Sequence, residues 1–376
     1  MKTKIWLSSP HMGGSEESFI KSAFETNWVA PLGPNVDGFE NDLENYFEND
    51  VYVGVLSSGT AAIHLALLLL GVKEGDEVLC QSMTFSASAN PIVYLKAKPI
   101  FIDSEIETWN ICPYYLEKAI KDRIAKGKKP KAIIAVHLYG MPFKVDEILS
   151  IANKYEIPII EDSAEALGSK YKNKKCGTFG EMGILSFNGN KIITTSGGGA
   201  FVSKNKSFVE KALFFATQAR EKTIHYEHKE VGFNYRMSNI CAGIGRGQIQ
   251  VLDKHVSLRR EINNFYKELF ENIKGISVFK EPDSNFFSNH WLSCILIDST
   301  ISKLNSLEKL RIMFDNENIE TRPLWKPMHL QPVFSNSLYF GENISEKIFN
   351  CGICLPSGSN MTEIEKDRIK QVILNV

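Results

Sequence analysis

The sequence predicts an α/β chain in which a large domain, built on a mostly parallel sheet covered by helices, precedes a smaller α+β domain. Three observations carry this. Short apolar or β-branched runs recur at residues 51–56, 75–80, 99–103, 131–136 and 158–162. Helical patterns such as Val145–Tyr155 fall between them, and strands alternating with helices imply a parallel sheet buried on both faces. After about residue 252 the pattern changes to a charged helix followed by mixed elements, so the boundary is set there, with domains 1–252 and 253–376. The 376 residues can form a large core with a substantial cleft.

Composition removes several classes of function. Hydrophobic residues make up 43% and charged residues 23%, with a net charge of −1, so no global charge recruits DNA or an anionic membrane. The opening residues are basic but carry no apolar segment of signal-peptide length, and the greasiest stretch, 61–72, is interrupted by His64 and too short to span a bilayer. A cytoplasmic protein is expected. Seven cysteines at irregular spacing fit reduced thiols, and the single CxxC, Cys351 to Cys354, reads as two buried small residues rather than a redox pair or half a zinc site.

Taken in order, residues 27–34 form a loop rich in proline and glycine, and 36–47 place Phe39, Leu43, Tyr46 and Phe47 at helical spacing. The strand 51–56 then runs into Ser57-Ser58-Gly59-Thr60 and a helix, 61–70, that is apolar on nearly every side. Unpaired N–H groups and hydroxyls at such a helix start favour a phosphate, although an ordinary N-cap has the same sequence. Phe85 sits where a strand end meets a helix start, a place for ligand contacts in an open sheet and equally for core packing. Asp162 closes the strand 158–162 on the expected ligand side, where it suits either a cationic ring nitrogen or a helix cap.

The run from Ser186 to Gly199 reads as a bent connection between two strands holding one lysine, Lys191, among apolar and small residues. Desolvation of a lysine lowers its pKa toward the neutral amine that attacks carbonyls, the requirement for a Schiff base. Helices are expected at 208–220, 304–316 and 362–373, and a strand at 291–297. His225 and His228 lie in a charged loop without a third metal ligand, so no metal is expected. No GxGxxG fingerprint occurs, which disfavours a dinucleotide-binding enzyme.

Together these elements resemble the pyridoxal-phosphate-dependent sugar aminotransferases of the DegT/DnrJ/EryC/StrS type. The resemblance spans nearly the whole chain and rests on Ser-Ser-Gly-Thr-Ala-Ala at 57–62, Thr84-Phe85, Glu161-Asp162-Ser163-Ala164-Glu165, Ser186-Phe187 with Lys191, Asn234-Tyr235-Arg236-Met237 and Pro327-Met328-His329. The run 186–199 and the opening Leu7 to Met12 look closest to the 4-aminotransferases that make UDP-4-amino-4,6-dideoxy-N-acetylglucosamine, of the bacillosamine type. The resemblance implies fold type I, a homodimer with shared active sites, and a nucleotide-sugar substrate with an amino-acid donor.

By matching position, Lys191 would hold pyridoxal 5'-phosphate and move protons at sugar C4, and Asp162 would pair with its ring nitrogen. Phe85 would stack on the ring, and Ser58, Gly59, Thr60 and Ser186 would bind the phosphate, with Asn234 reaching it from the partner subunit. Trp28, Arg236, Arg322, Lys326 and His329 are assigned to the substrate, the last three because their positive or hydrogen-bonding heads suit its diphosphate, although a solvated loop would carry the same residues. Glu165 is placed near the cofactor where many relatives carry glutamine or histidine, and Ser196-Gly197 replaces a common Gly-Glu pair. The lysine argues against the branch with histidine in its place, which performs dehydration.

Overall fold

The computed structural model describes residues 2–301 and 307–374. Its centre is an eight-stranded sheet in the order Tyr52–Leu56, Gly199–Ser203, Met182–Ser186, Ile159–Asp162, Ala132–Val136, Glu77–Gln81, Lys98–Ile102 and Leu338–Phe340. Gly199–Ser203 runs antiparallel to both neighbours, and the other pairings are parallel. The expected parallel sheet is therefore present. Its outermost strand, Leu338–Phe340, comes from beyond residue 252 and pairs with Lys98–Ile102.

Helices cover both faces because their apolar residues leave no other place to go. The Gly59–Leu69 helix has Leu65, Ala66 and Leu67 at 0% exposure, consistent with its lack of a polar face. Each such leucine contributes about 1.5–3 kcal/mol by leaving water. Ser58 caps this helix by accepting from Ala61 N at 3.0 Å, and Pro34 occupies the first turn of Pro34–Tyr46. The Lys206–Ala216 helix stops before residue 220 because Gln218 and Ala219 take left-handed φ of 61° and 52°.

A long helix, Leu252–Phe270, leads into an antiparallel sheet ordered Ile276–Val278, Ser293–Ile297, Gly352–Leu355 and Arg322–Pro323. Ile262, Tyr266 and Phe270 of that helix pack with Leu310 and Phe314 of Leu307–Asn316 and with Ile369 and Ile373 of Glu363–Leu374. Residues 304–306 of the helix expected at 304–316 lie outside the described residues. The amino-terminal strap returns to this unit through a bridge between Ile5 and Ile319. Among the described residues no helix is long and apolar enough to cross a membrane.

All seven cysteines are free thiols. Cys354 faces Cys294 across neighbouring strands, with sulfurs 3.7 Å apart, rather than Cys351 of its own CxxC.

Candidate active site

A cavity of about 940 Å³ opens at the carboxyl ends of the parallel strands, where strand ends and helix starts converge. Its wall includes Ser58, Gly59, Thr60, Phe85, Asp162, Glu165, Ser186, Lys191 and Arg322, so nine of the residues singled out from sequence meet in one place.

Asp162 ends its strand with the side chain 4% exposed. Its carboxylate accepts from Ser88 Oγ at 2.6 Å and from Ala164 N at 3.2 Å, two neutral donors. Alternation along the strand sends the preceding residue, Glu161, to the opposite face. There Glu161 accepts from His137 Nε2 at 2.7 Å, Phe179 N at 2.7 Å and Gly180 N at 3.1 Å. Burial alone would raise its carboxyl, yet His137 and these N–H groups hold it below the usual carboxylate range. His137, Glu161 and Cys176 could offer three metal ligands, but the Glu161 oxygens are already engaged by donors, so the cluster reads as an anchor for the strand end.

Lys191 lies in the connection between Met182–Ser186 and Gly199–Ser203, with a side chain only 11% exposed. Its Nζ is 3.5 Å from Glu165 Oε1 and 4.2 Å from the centre of the Trp291 ring. The other Glu165 oxygen accepts from Tyr139 N at 2.6 Å. Burial pushes the Glu165 carboxyl up to about 7, against the opposing pull of Lys191.

The floor opposite is the start of the Gly59–Leu69 helix, whose first N–H groups have no partner within the helix. Gly199 is needed here: a Cβ on it would lie 2.3 Å from Gly59 N. Above, Phe85 is 56% exposed and stands 5.4 Å from Trp325, which neighbours Tyr139 at 5.2 Å. A large ring open to a cleft is a platform for another flat ring.

The remaining sequence candidates are not brought to this cavity within the chain. Arg236 is paired with Glu40 and donates to Val55 O at 2.8 Å. His329 joins Ser82 Oγ at 2.6 Å and Glu346 Oε1 at 3.2 Å, and stacks on Tyr339. Each of these heads is committed to holding two segments together. Trp28 lies beside the Gly33 turn, with its carbonyl accepting from Asn239 Nδ2. Lys326 and Asn234 are exposed and line no part of the wall. Arg322 does line it, with its guanidinium on Glu320 at 2.8 Å and 68% of the side chain exposed.

Sequence reasoning missed Ser88, Tyr139 and Trp291, and it used the opening Leu7 to Met12 only for the family likeness, although Trp6 to Pro10 line the cavity. Thr84, four residues upstream, was the available hint for Ser88, whereas nothing local marks Trp291.

The sequence model of the DegT/DnrJ/EryC1/StrS aminotransferase family matches residues 10–374. A Bacillus subtilis (strain 168) protein named as a pyridoxal phosphate-dependent aminotransferase, EpsN, is 51% identical over 100% of this chain and 96% of its own. GDP-perosamine synthase of Escherichia coli O157:H7 is 38% identical over 94% of this chain and 93% of its own. The crystal structure of a DegT DnrJ EryC1 StrS aminotransferase from Brucella abortus superposes with a TM-score of 0.89 at 27% identity, covering 96% of this chain and 95% of that one.

Proposed function

This chain belongs to the DegT/DnrJ/EryC1/StrS aminotransferase family, and on that premise we propose that it moves an amino group from an amino acid, expected to be L-glutamate, to C4 of a nucleotide-linked 4-keto-6-deoxy sugar. Pyridoxal 5'-phosphate is the cofactor of this aminotransferase. When bound, it supplies the carbonyl that takes up the amino group and a ring that withdraws electrons from the adjacent carbon.

The residues present fit that group. Asp162 is a buried carboxylate with only neutral donors, which leaves it free to accept from a protonated ring nitrogen. The start of the Gly59–Leu69 helix, with Ser58, Thr60 and Ser186 beside it, suits a phosphate. The observation that carries the reading is Lys191 Nζ in this same cavity, screened by Trp291 and 3.5 Å from Glu165. Lys191 is placed to accept a proton at Nζ and return it, and Glu165 holds a proton close to neutral pH.

Arg322 at the mouth offers a guanidinium to the substrate diphosphate. The likeness of the run 186–199 to that of 4-aminotransferases supports C4 as the site of amination and a UDP-linked 2-acetamido sugar. The GDP-perosamine synthase relative makes the GDP-linked 4-keto-6-deoxy hexose the competing substrate. The working unit we propose is a homodimer in which Asn234 serves the partner's phosphate cup. Asn234 is exposed and lines no part of its own cavity, and Ile224, Tyr226 and Val231, near it in sequence, are 108%, 79% and 83% exposed, a cost that a partner surface would remove.

A screen of UDP-, dTDP- and GDP-linked 3-keto and 4-keto sugars with glutamate, read by mass spectrometry, tests the proposal. A 4-amino product is expected, and turnover of 3-keto sugars alone would sink it.

A further inference from the structure

Arg259, in the Leu252–Phe270 helix, is 1% exposed, and no carboxylate among the described residues pairs with it. Burial lowers its pKa to about 9, and its Nε has no hydrogen-bond partner. A buried, uncompensated guanidinium is expensive, and fold stability alone is better served by an apolar residue of similar shape. Its two partners are a backbone carbonyl and a hydroxyl from distant segments: Nη1 donates to Trp291 O at 2.5 Å and Nη2 to Ser8 Oγ at 3.0 Å.

Both partners turn toward the same atom. Trp291 Nε1 and Ser8 Oγ each donate to Asn190 O at 2.7 Å. The result is a closed ring of four hydrogen bonds that joins the helix, the amino-terminal strap, the segment that leads into the Ser293–Ile297 strand and the residue before Lys191. His255, one turn earlier on the same helix, bonds through Nδ1 to Ile192 O at 3.3 Å, on the other side of the lysine. The carbonyls flanking Lys191 are thus both held, directly or through one intermediary, by this one helix.

We propose that Arg259 is a positioning residue for Lys191, acting through Trp291 and Ser8 to fix the Asn190 carbonyl and the indole face against the reacting amine. Arg259 itself does not line the cavity. The inference rests on Lys191 being that amine. A small displacement of a reacting group costs rate steeply even when the fold survives.

The test uses cofactor-free protein. Pyridoxal is trapped on Lys191 with cyanoborohydride, and the labelled peptide is timed by mass spectrometry in wild type, Arg259→Met, Arg259→Lys, Trp291→Phe and the Met/Phe double variant, with melting temperature recorded for each. Labelling on the order of tenfold slower is expected in Arg259→Met and in Trp291→Phe. Arg259→Lys is expected to recover part of the rate, and the double variant to be no slower than the slower single. Wild-type rates in either folded single variant overturn the proposal, as do losses that multiply in the double. Should Arg259→Met fail to fold, Trp291→Phe decides alone, since it deletes the indole N–H that donates to Asn190 while leaving an aromatic face beside Lys191. Absence of label on Lys191 in the wild type would instead refute the assignment of the amine.

Discussion

Lys191 and Glu165 face each other at 3.5 Å in the wall of the cavity, an amine and a carboxyl both nearly sealed from water. Because burial raises the Glu165 carboxyl to about 7, the folded protein binds a proton there that the unfolded chain releases above its ordinary value of 4.5. Stability from this group is therefore complete below about 4.5 and lost as pH rises through about 7. Glu165→Gln removes the dependence. In cofactor-free protein, its melting temperature relative to wild type should climb between pH 5 and 8, by the equivalent of about 2–3 kcal/mol. A difference that stays flat with pH would show that Glu165 is ionised throughout.

Lys191→Ala should abolish the visible absorption of the cofactor-bound protein and its transamination while leaving the circular dichroism unchanged. Asp162→Ala should keep the covalent link but lower kcat by about 10²–10³, the scale expected when a buried charge no longer meets the charge it serves. Ser88→Ala, which removes the 2.6 Å bond that orients Asp162, should lie between that variant and wild type. Steady-state kinetics with glutamate and the keto sugar check the two kcat losses, and an absorption spectrum checks Lys191→Ala.

What was legible in the sequence is what is local. Asp162 at a strand end, Ser58 to Thr60 at a helix start and Lys191 in a bent connection are set by a few neighbouring residues, and all of them reach the cavity. The parallel sheet was legible for the same reason, since its strands announce themselves in short apolar runs such as Ala132–Val136. The ring around Asn190 was not, because Ser8 and Asn190 are 182 positions apart and Arg259 and Ser8 are 251. Charge misled where a distant partner intervened: Arg236 meets Glu40 and His329 meets Glu346, so heads that looked available for the substrate are occupied.

Gly199→Ala should weaken both the fold and the hold on phosphate. The added Cβ would stand 2.3 Å from Gly59 N, a side-chain carbon against main chain, where neither strand nor helix start can yield without moving the other. Overpacking of this kind costs about 1–3 kcal/mol. A lower melting temperature and a higher Kd for pyridoxal 5'-phosphate are expected together. Gly197→Ala, whose Cβ meets nothing within 4 Å, should leave the melting temperature alone.

Arg322 and Lys326 separate the substrate side of the cavity. Arg322 lines the wall with its guanidinium held on Glu320, and Glu320 in turn accepts from Leu7 N at 3.1 Å, so the cation is fixed relative to the strap. Lys326, four residues on, projects into solvent. Arg322→Ala should raise KM for the nucleotide sugar about tenfold, the worth of one charge-assisted hydrogen bond, with kcat little changed because the contact forms equally before and during reaction. KM for glutamate should hold steady. Lys326→Ala should match wild type for both substrates, and a large rise in its KM for the sugar would mean that the loop from Thr321 to His329 closes over the diphosphate when substrate binds.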